Sequence, residues 1–136
     1  MRFACLAALL LAACSRVAEP GEKLVGIYRG SDRDGLCIAR EGEGLKAGLI
    51  VFGAGNMNCS LNGRAEMRGN SLVVTPRGDS ECSVEIQFTN GVARLGLRTG
   101  SCKYYCGPGA DYSGRVLHKT HIESTKVTDF AGDPLC

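Results

Sequence analysis

The chain has 136 residues, 16 of them Lys or Arg against 14 Asp or Glu, for a formal net charge of +2. That length suits one domain with one modest core. Aromatic residues make up only 6% and no long basic run occurs, which argues against a nucleic-acid surface built from clustered cations and stacking rings. Nineteen glycines, roughly twice the usual share, are scattered without a period, so no collagen-like pattern or internal repeat is present.

The first element is apolar. Met1 and Arg2 make a minimal positive start, and Phe3 to Ala13 follow without a polar residue. This run is too short to cross a bilayer core, which takes about 20 helical residues, but it fits a secretory signal ending in small residues. It closes on Leu11-Ala12-Ala13-Cys14, which resembles the lipobox of bacterial lipoprotein signal peptides. The resemblance implies cleavage between Ala13 and Cys14, removal of residues 1–13, and lipidation (including palmitate) of the Cys14 thiol at the new N-terminus. Stable anchoring takes two membrane signals, and the acyl chains of a lipoprotein exceed that requirement. Ser15 stands where that class carries Asp for inner-membrane retention, which favours the periplasmic face of the outer membrane. A buried N-terminal helix with an incidental cysteine is the alternative.

The eight cysteines sort accordingly. Cys5 leaves with the signal and Cys14 takes the lipid. Cys37, Cys59, Cys82, Cys102, Cys106 and Cys136 remain, an even number in an oxidising compartment, and they point to up to three disulfides. A zinc site is the competing reading, because Cys102 and Cys106 lie upstream of His118 and His121. The gap between those histidines is shorter than the His-x3–5-His of structural zinc fingers. No Cys-x-x-Cys-His for haem attachment is present.

Residues 14–22 form a short polar tether containing Pro20-Gly21, and residues 23–136 form a single β domain. Short apolar runs alternate with turn signals and no helical period is sustained. Strands are expected over Leu24–Arg29, Leu36–Arg40 and Lys46–Phe52, the last two joined at Glu41-Gly42-Glu43-Gly44. Gly69-Asn70 as a turn pairs Met67 with Leu72 and Ala65 with Val74. It leaves Arg64, Glu66 and Arg68 outward and puts Cys59 and Leu61 on the inner face. Asn90-Gly91 pairs Thr89 with Val92, the turn chemistry that matches strand twist. Phe88 then meets Ala93, Ile86 meets Leu95 and Val84 meets Leu97, all on one face, and a one-residue slip would destroy that agreement. Cys82 shares the parity of Val84, so Cys59–Cys82 and Cys82–Cys102 both stay open. Gly114–Lys119 supplies a last strand with Val116 and His118 on one face. The total is an all-β antiparallel meander of about eight strands, closing into a barrel or a folded-over sandwich. The polar, irregular segment after Thr120 ends on Cys136, where a disulfide would tie it down.

Ser101 to Tyr112 is the most unusual stretch of the mature chain. It holds Tyr104, Tyr105, Asp111, Tyr112, two cysteines and a Gly-Pro-Gly turn. Tyrosines on a cystine-braced loop make a rigid binding surface at low entropic cost. Alternatively, the loop plugs one end of the barrel with its rings packed inward. No catalytic constellation is present. His118 and His121 lack a serine or cysteine in a nucleophile-elbow pattern, and His118 reads as a core residue on an inner parity. Asp32, Asp34 and Gly35 lack the rest of a calcium loop and read as an ordinary turn, and Glu41 and Glu43 read as solvated charges beside a hairpin tip.

A lipoprotein bearing a small disulfide-bonded antiparallel barrel is similar in profile to the membrane-bound lysozyme inhibitors, and Ser113-Gly114-Arg115 is similar to their Ser-Gly loop. The continuation, Val116-Leu117, departs from the aromatic-containing pattern of that family. The expected role is a non-enzymatic, lipid-anchored binding or interaction module of the cell envelope, with no cofactor, metal or nucleic-acid partner. An inhibitor of a cell-wall hydrolase is the sharpest version of that role. A small-ligand carrier is the alternative and would need an interior cavity, which small inward residues such as Ala65 and Ala93 permit. An enzyme would need a pocket joining His118 or His121 to a carboxylate.

Overall fold

A computed structural model describes residues 20–31, 33–121 and 126–136, with the backbone alone at 97 and 98. Ala13 and Cys14 lie outside the described residues, as does Asp32. Eight strands follow one another: β1 (Gly26–Arg29), β2 (Gly35–Glu41), β3 (Gly44–Phe52), β4 (Asn58–Arg68), β5 (Ser71–Pro76), β6 (Val84–Thr89), β7 (Val92–Arg98) and β8 (Val116–Thr120). Each pairs antiparallel with the next, and β8 returns to β1 through Ile27–Thr120, Tyr28–Lys119 and Arg29–His118. The meander therefore closes into a barrel.

Two of the expected hairpins form as the hydrophobic parity requires. Met67 pairs with Leu72 and Ala65 with Val74. Across Asn90-Gly91, Thr89 pairs with Val92, Phe88 with Ala93 and Ile86 with Leu95. Asn90 and Gly91 have φ values of +49° and +77°, the doubly left-handed turn whose twist suits a tight hairpin. One pairing differs from expectation. Val84 sits opposite Arg98, one residue beyond Leu97, because the ladder shifts register between Val84 and Ile86. An extra residue enters β7 next to Gly96, where a bulge meets little side-chain resistance.

A second correction concerns β8. Leu117 is fully buried and His118 is exposed, so the inward parity is the reverse of the one expected. Its neighbour decides the matter: Leu117 pairs with Ala93, which is itself fully buried, and His118 pairs with Val92.

The interior is filled by side chains. Tyr28, Leu36, Leu49, Leu72, Ile86, Leu95 and Leu117 all have almost no exposed surface, as expected for a barrel of eight strands. Tyr28 lies in this core at 1% exposure. Its hydroxyl donates to the Leu24 carbonyl at 2.9 Å and its ring meets Phe88 edge-on.

A smaller cluster lies outside the barrel. Cys37, Ile50, Val127 and Leu135 are buried together there, because residues 126–136 return across the outer face of β2 and β3. Cys37 is bonded to Cys136, so the final segment is tied down as expected. A side chain at Gly48 would fall 2.4 Å from the Leu135 carbonyl oxygen, so only glycine allows this close approach.

The two ends of the barrel differ. At one end lie the tight turns at 42–43, 69–70 and 90–91, together with the incoming chain at 20–25. At the other end lie the longer connections 30–34, 53–57, 77–83 and 99–115.

Burial pushes the Tyr28 phenol up to about 12. An unfolded chain would lose this proton near its ordinary value of about 10, while the folded chain keeps it. The stabilisation is complete below pH 10 and lost as pH rises through the folded value. Stability should therefore fall by about 1.4 kcal/mol per pH unit above pH 10. Urea unfolding at pH 9, 10 and 11 measures the slope. Tyr28→Phe should flatten it, and equal slopes in the two proteins would contradict the assignment.

Candidate functional site at the loop end

The longest connection, residues 99–115, begins with a 3₁₀ turn over Gly100–Tyr105. Thr99 holds its start: the hydroxyl donates to the Glu81 carbonyl and accepts from the Ser83 amide at 3.2 Å. Two disulfides then fix the turn. Cys102 is bonded to Cys82 just ahead of β6, and Cys106 to Cys59 on β4. Cys59, Cys82 and Cys102 are completely buried. The choice left open for Cys82 is thus resolved in favour of Cys102. Cys59 is free for Cys106 because the β4–β5 ladder ends at Gly63–Pro76 and the chain turns away beyond it. With both thiols spent in disulfides, Cys102 and Cys106 are not zinc ligands.

The three tyrosines of the loop take different roles. Tyr112 is completely buried in the barrel core and closes this end. Tyr104 is 87% exposed. Tyr105 lies between them, edge-on to Tyr104 at 5.3 Å, and its hydroxyl donates to Asp79 Oδ2 at 3.0 Å. Burial first, then the hydrogen bond and charge of Asp79, hold the Tyr105 phenol above the ordinary tyrosine range. Asp79 is positioned in turn by the amides of Glu81 and Cys82, which donate to its Oδ1 at 3.1 and 3.3 Å. The plug and the binding surface therefore coexist on one loop, on different residues.

Asp34 locks the rest of this end. It is 3% exposed; Oδ1 accepts from the Phe52 amide at 2.8 Å, and Oδ2 pairs with Arg115 at 3.3 Å. Arg115 also donates from Nε to the Asp111 carbonyl at 3.2 Å. The Asp111 side chain accepts from the Ser113 amide at 2.7 Å. Asp111 is thus a turn-forming residue that shapes the Ser113-Gly114 corner. Asp34, read from sequence as part of an ordinary turn, joins the ends of three connections.

Next to this network the Arg33 guanidinium stacks 3.9 Å above the Phe52 ring and donates to Asn56 and to the Gly55 carbonyl. Met57 is exposed and packs against Gly107. Two open grooves flank the loop. One, of about 500 Å³, is lined by Arg64, Thr75, Arg77, Asp79 and Ser80. The other, of about 620 Å³, is lined by Glu85, Gln87, Gly96, Ser113 and Gly114.

His118 lies on the outer wall, and exposed His121 follows β8 at the turn end. Neither belongs to this site. Glu41 pairs with Arg77 across the mouth of the first groove, and Glu43 is exposed at its hairpin tip. Sequence reasoning missed Asp79, the pairing of Arg115 with Asp34 and the Arg33–Phe52 stack. Only Asp79, two residues past Pro-Arg in a glycine turn, carried a local signal. No family model, curated protein or solved structure matches the chain.

Hydrogen bonds to charged groups contribute about 1.5–3 kcal/mol, and a buried donor left without a partner costs more. Asp34→Ala should accordingly lower stability by about 2–3 kcal/mol in urea unfolding. Tyr104→Ala, at an exposed position, should stay within about 0.5 kcal/mol of the parent. An equal loss in both would contradict the division between a structural Asp34 and a surface Tyr104.

Proposed function

We propose that the protein is a lipid-anchored envelope protein that acts as a non-enzymatic binding module through the loop end of its barrel. The observation that carries this reading is the polarity of the fold. The chain comes in at the end with the tight turns, and the long, disulfide-braced connections lie at the opposite end. An anchor at Cys14, joined by the short tether, would hold the turn end toward the membrane and direct Tyr104 away from it. Aromatic residues held rigidly in an exposed loop are favourable binding anchors, because little side-chain freedom is lost on contact.

The sharper version is inhibition of a cell-wall hydrolase. It is supported by the position of Ser113-Gly114, exposed at the same end and held by Asp111 and by Arg115, which Asp34 pins. An exposed polar corner at the same end as an exposed tyrosine suits a substrate cleft. The carrier reading has less support, since side chains occupy the barrel interior and a small ligand would have to bind in the outer grooves.

The experiment has two arms. Cys14→Ala should move the protein from the membrane to the soluble fraction and abolish labelling by palmitate; a membrane-bound variant would overturn the anchor. The detergent-solubilised full chain should inhibit at least one member of a lysozyme panel. Tyr104→Ala or Ser113→Ala should weaken that inhibition at least about tenfold, the effect of losing one interface hot spot. Failure against the whole panel would remove the inhibitor version. If a partner captured from envelope extract stayed bound equally well to Tyr104→Ala, the loop end would not be the binding surface.

A further inference from the structure

The outer wall of the barrel, between its two ends, carries a projection and a recess side by side. Residues 126–136 form a small hairpin, closed by the Thr128–Pro134 bridge and by the Leu135 amide donating to the Val127 carbonyl at 3.0 Å. Its tip is held by three further bonds. The Asp129 amide donates to the Asp133 carbonyl, the Gly132 amide to the Asp129 carbonyl, and the Asp133 amide to Asp129 Oδ1. On this braced tip Phe130 is 59% exposed, with Asp129 and Asp133 beside it. At the base of the same hairpin lies an apolar slot of about 340 Å³. Ile27, Cys37 and Ala39 line it on the barrel side, Val127 and Pro134 on the hairpin side, and Lys126 stands at its rim.

We infer that this wall is a self-association face whose partner is a second copy of the chain. Phe130 of each protomer would enter the other's slot, with Asp133 meeting Lys126. A two-fold contact uses one patch twice, so that patch must carry both halves of the fit. Here one hairpin carries an exposed apolar knob at its tip and lines an apolar recess at its base. An acid flanks the knob and an ammonium group flanks the recess, so the charges match when two copies face each other. The hairpin is fastened by the Cys37–Cys136 disulfide, so the knob is held in place before contact and little ordering cost remains. The contact does not require the lipid anchor. Two copies anchored in one membrane would stand side by side along these walls, which raises their effective concentration.

The full chain, expressed in a bacterial envelope with photoreactive benzoylphenylalanine in place of Phe130, tests this directly. Irradiation should yield a covalent homodimer whose cross-link maps to residues 26–39 or 126–136 of the other copy. A cross-link to lipid, a cross-link to a different protein, or no dimer would overturn the proposal. Charge reversal gives an independent arm in the same cross-linking format. Lys126→Glu and Asp133→Lys should each lower the dimer yield by about tenfold, and the double variant should restore it. A double variant as poor as either single one would overturn the pairing. Variants at Phe130 should leave binding through Tyr104 unchanged, so failure here is distinguishable from failure of the loop-end reading.

Discussion

A sheet that closes on itself has no edges, only two ends, and the β1–β8 pairing creates this condition. Strand β1 is only four residues long, yet it is bonded on both sides, to β2 and to β8. Because every connection joins neighbours in sequence, the connections alternate between ends. All the tight turns fall at one end and all the longer loops at the other. Closure also places every second residue in the interior, where large apolar side chains such as Tyr28, Leu36, Leu49, Leu72, Ile86 and Leu117 pack with small ones such as Ala65 and Ala93. The asymmetry of the molecule, and any orientation imposed by an anchor, follows from that single closure.

At the loop end the difficulty is order. Residues 99–115 exceed the length of about 12–15 residues at which a loop without strands or α-helix becomes uncommon in a compact domain. Their order comes from covalent and polar ties rather than from a large hydrophobic patch. Cys102 and Cys106 tether the loop to Cys82 and Cys59, and Tyr112 inserts into the barrel core. Asp34 and Arg115 hold its exit. The outcome is a loop whose buried residues do the anchoring and leave Tyr104 with almost no contacts inside the molecule. The final segment uses the same solution on the outer wall, where Cys136, Val127 and Leu135 secure a hairpin that presents Phe130.

Much of this was legible in the sequence. Alternation of apolar and polar residues around Asn-Gly and Gly-Asn pairs is a strong register signal, because a slip of one residue exposes a whole face. The β4–β5 hairpin and the part of β6–β7 nearest its turn follow from it. The three disulfides follow instead from the even count of six cysteines, without their connectivity, and a meander of this size suits a barrel or a folded-over sandwich alike. The failures are equally physical. The bulge near Gly96 inserts a residue where glycine gives no parity signal. In β8, Val116 and His118 offered a plausible inner face, and only the partner Ala93 reveals that Leu117 takes that place. The outer cluster had a signal in Leu49-Ile50-Val51-Phe52, a continuous apolar run of the kind found in strands covered on both faces. The Asp34–Arg115 pair spans most of the chain and has no local trace. The division of labour among the tyrosines was open for the same reason, since parity does not extend into a 3₁₀ turn.

Binding through the loop end requires that it be a rigid mount for an exposed ring. Backbone ¹⁵N relaxation at Tyr104 measures this directly, since an order parameter of about 0.85 marks rigid backbone and one below about 0.6 marks a flexible segment. The disulfides at Cys102 and Cys106 and the Tyr105–Asp79 bond predict a value near that of the strands. A value in the flexible range, with both disulfides intact, would contradict the account.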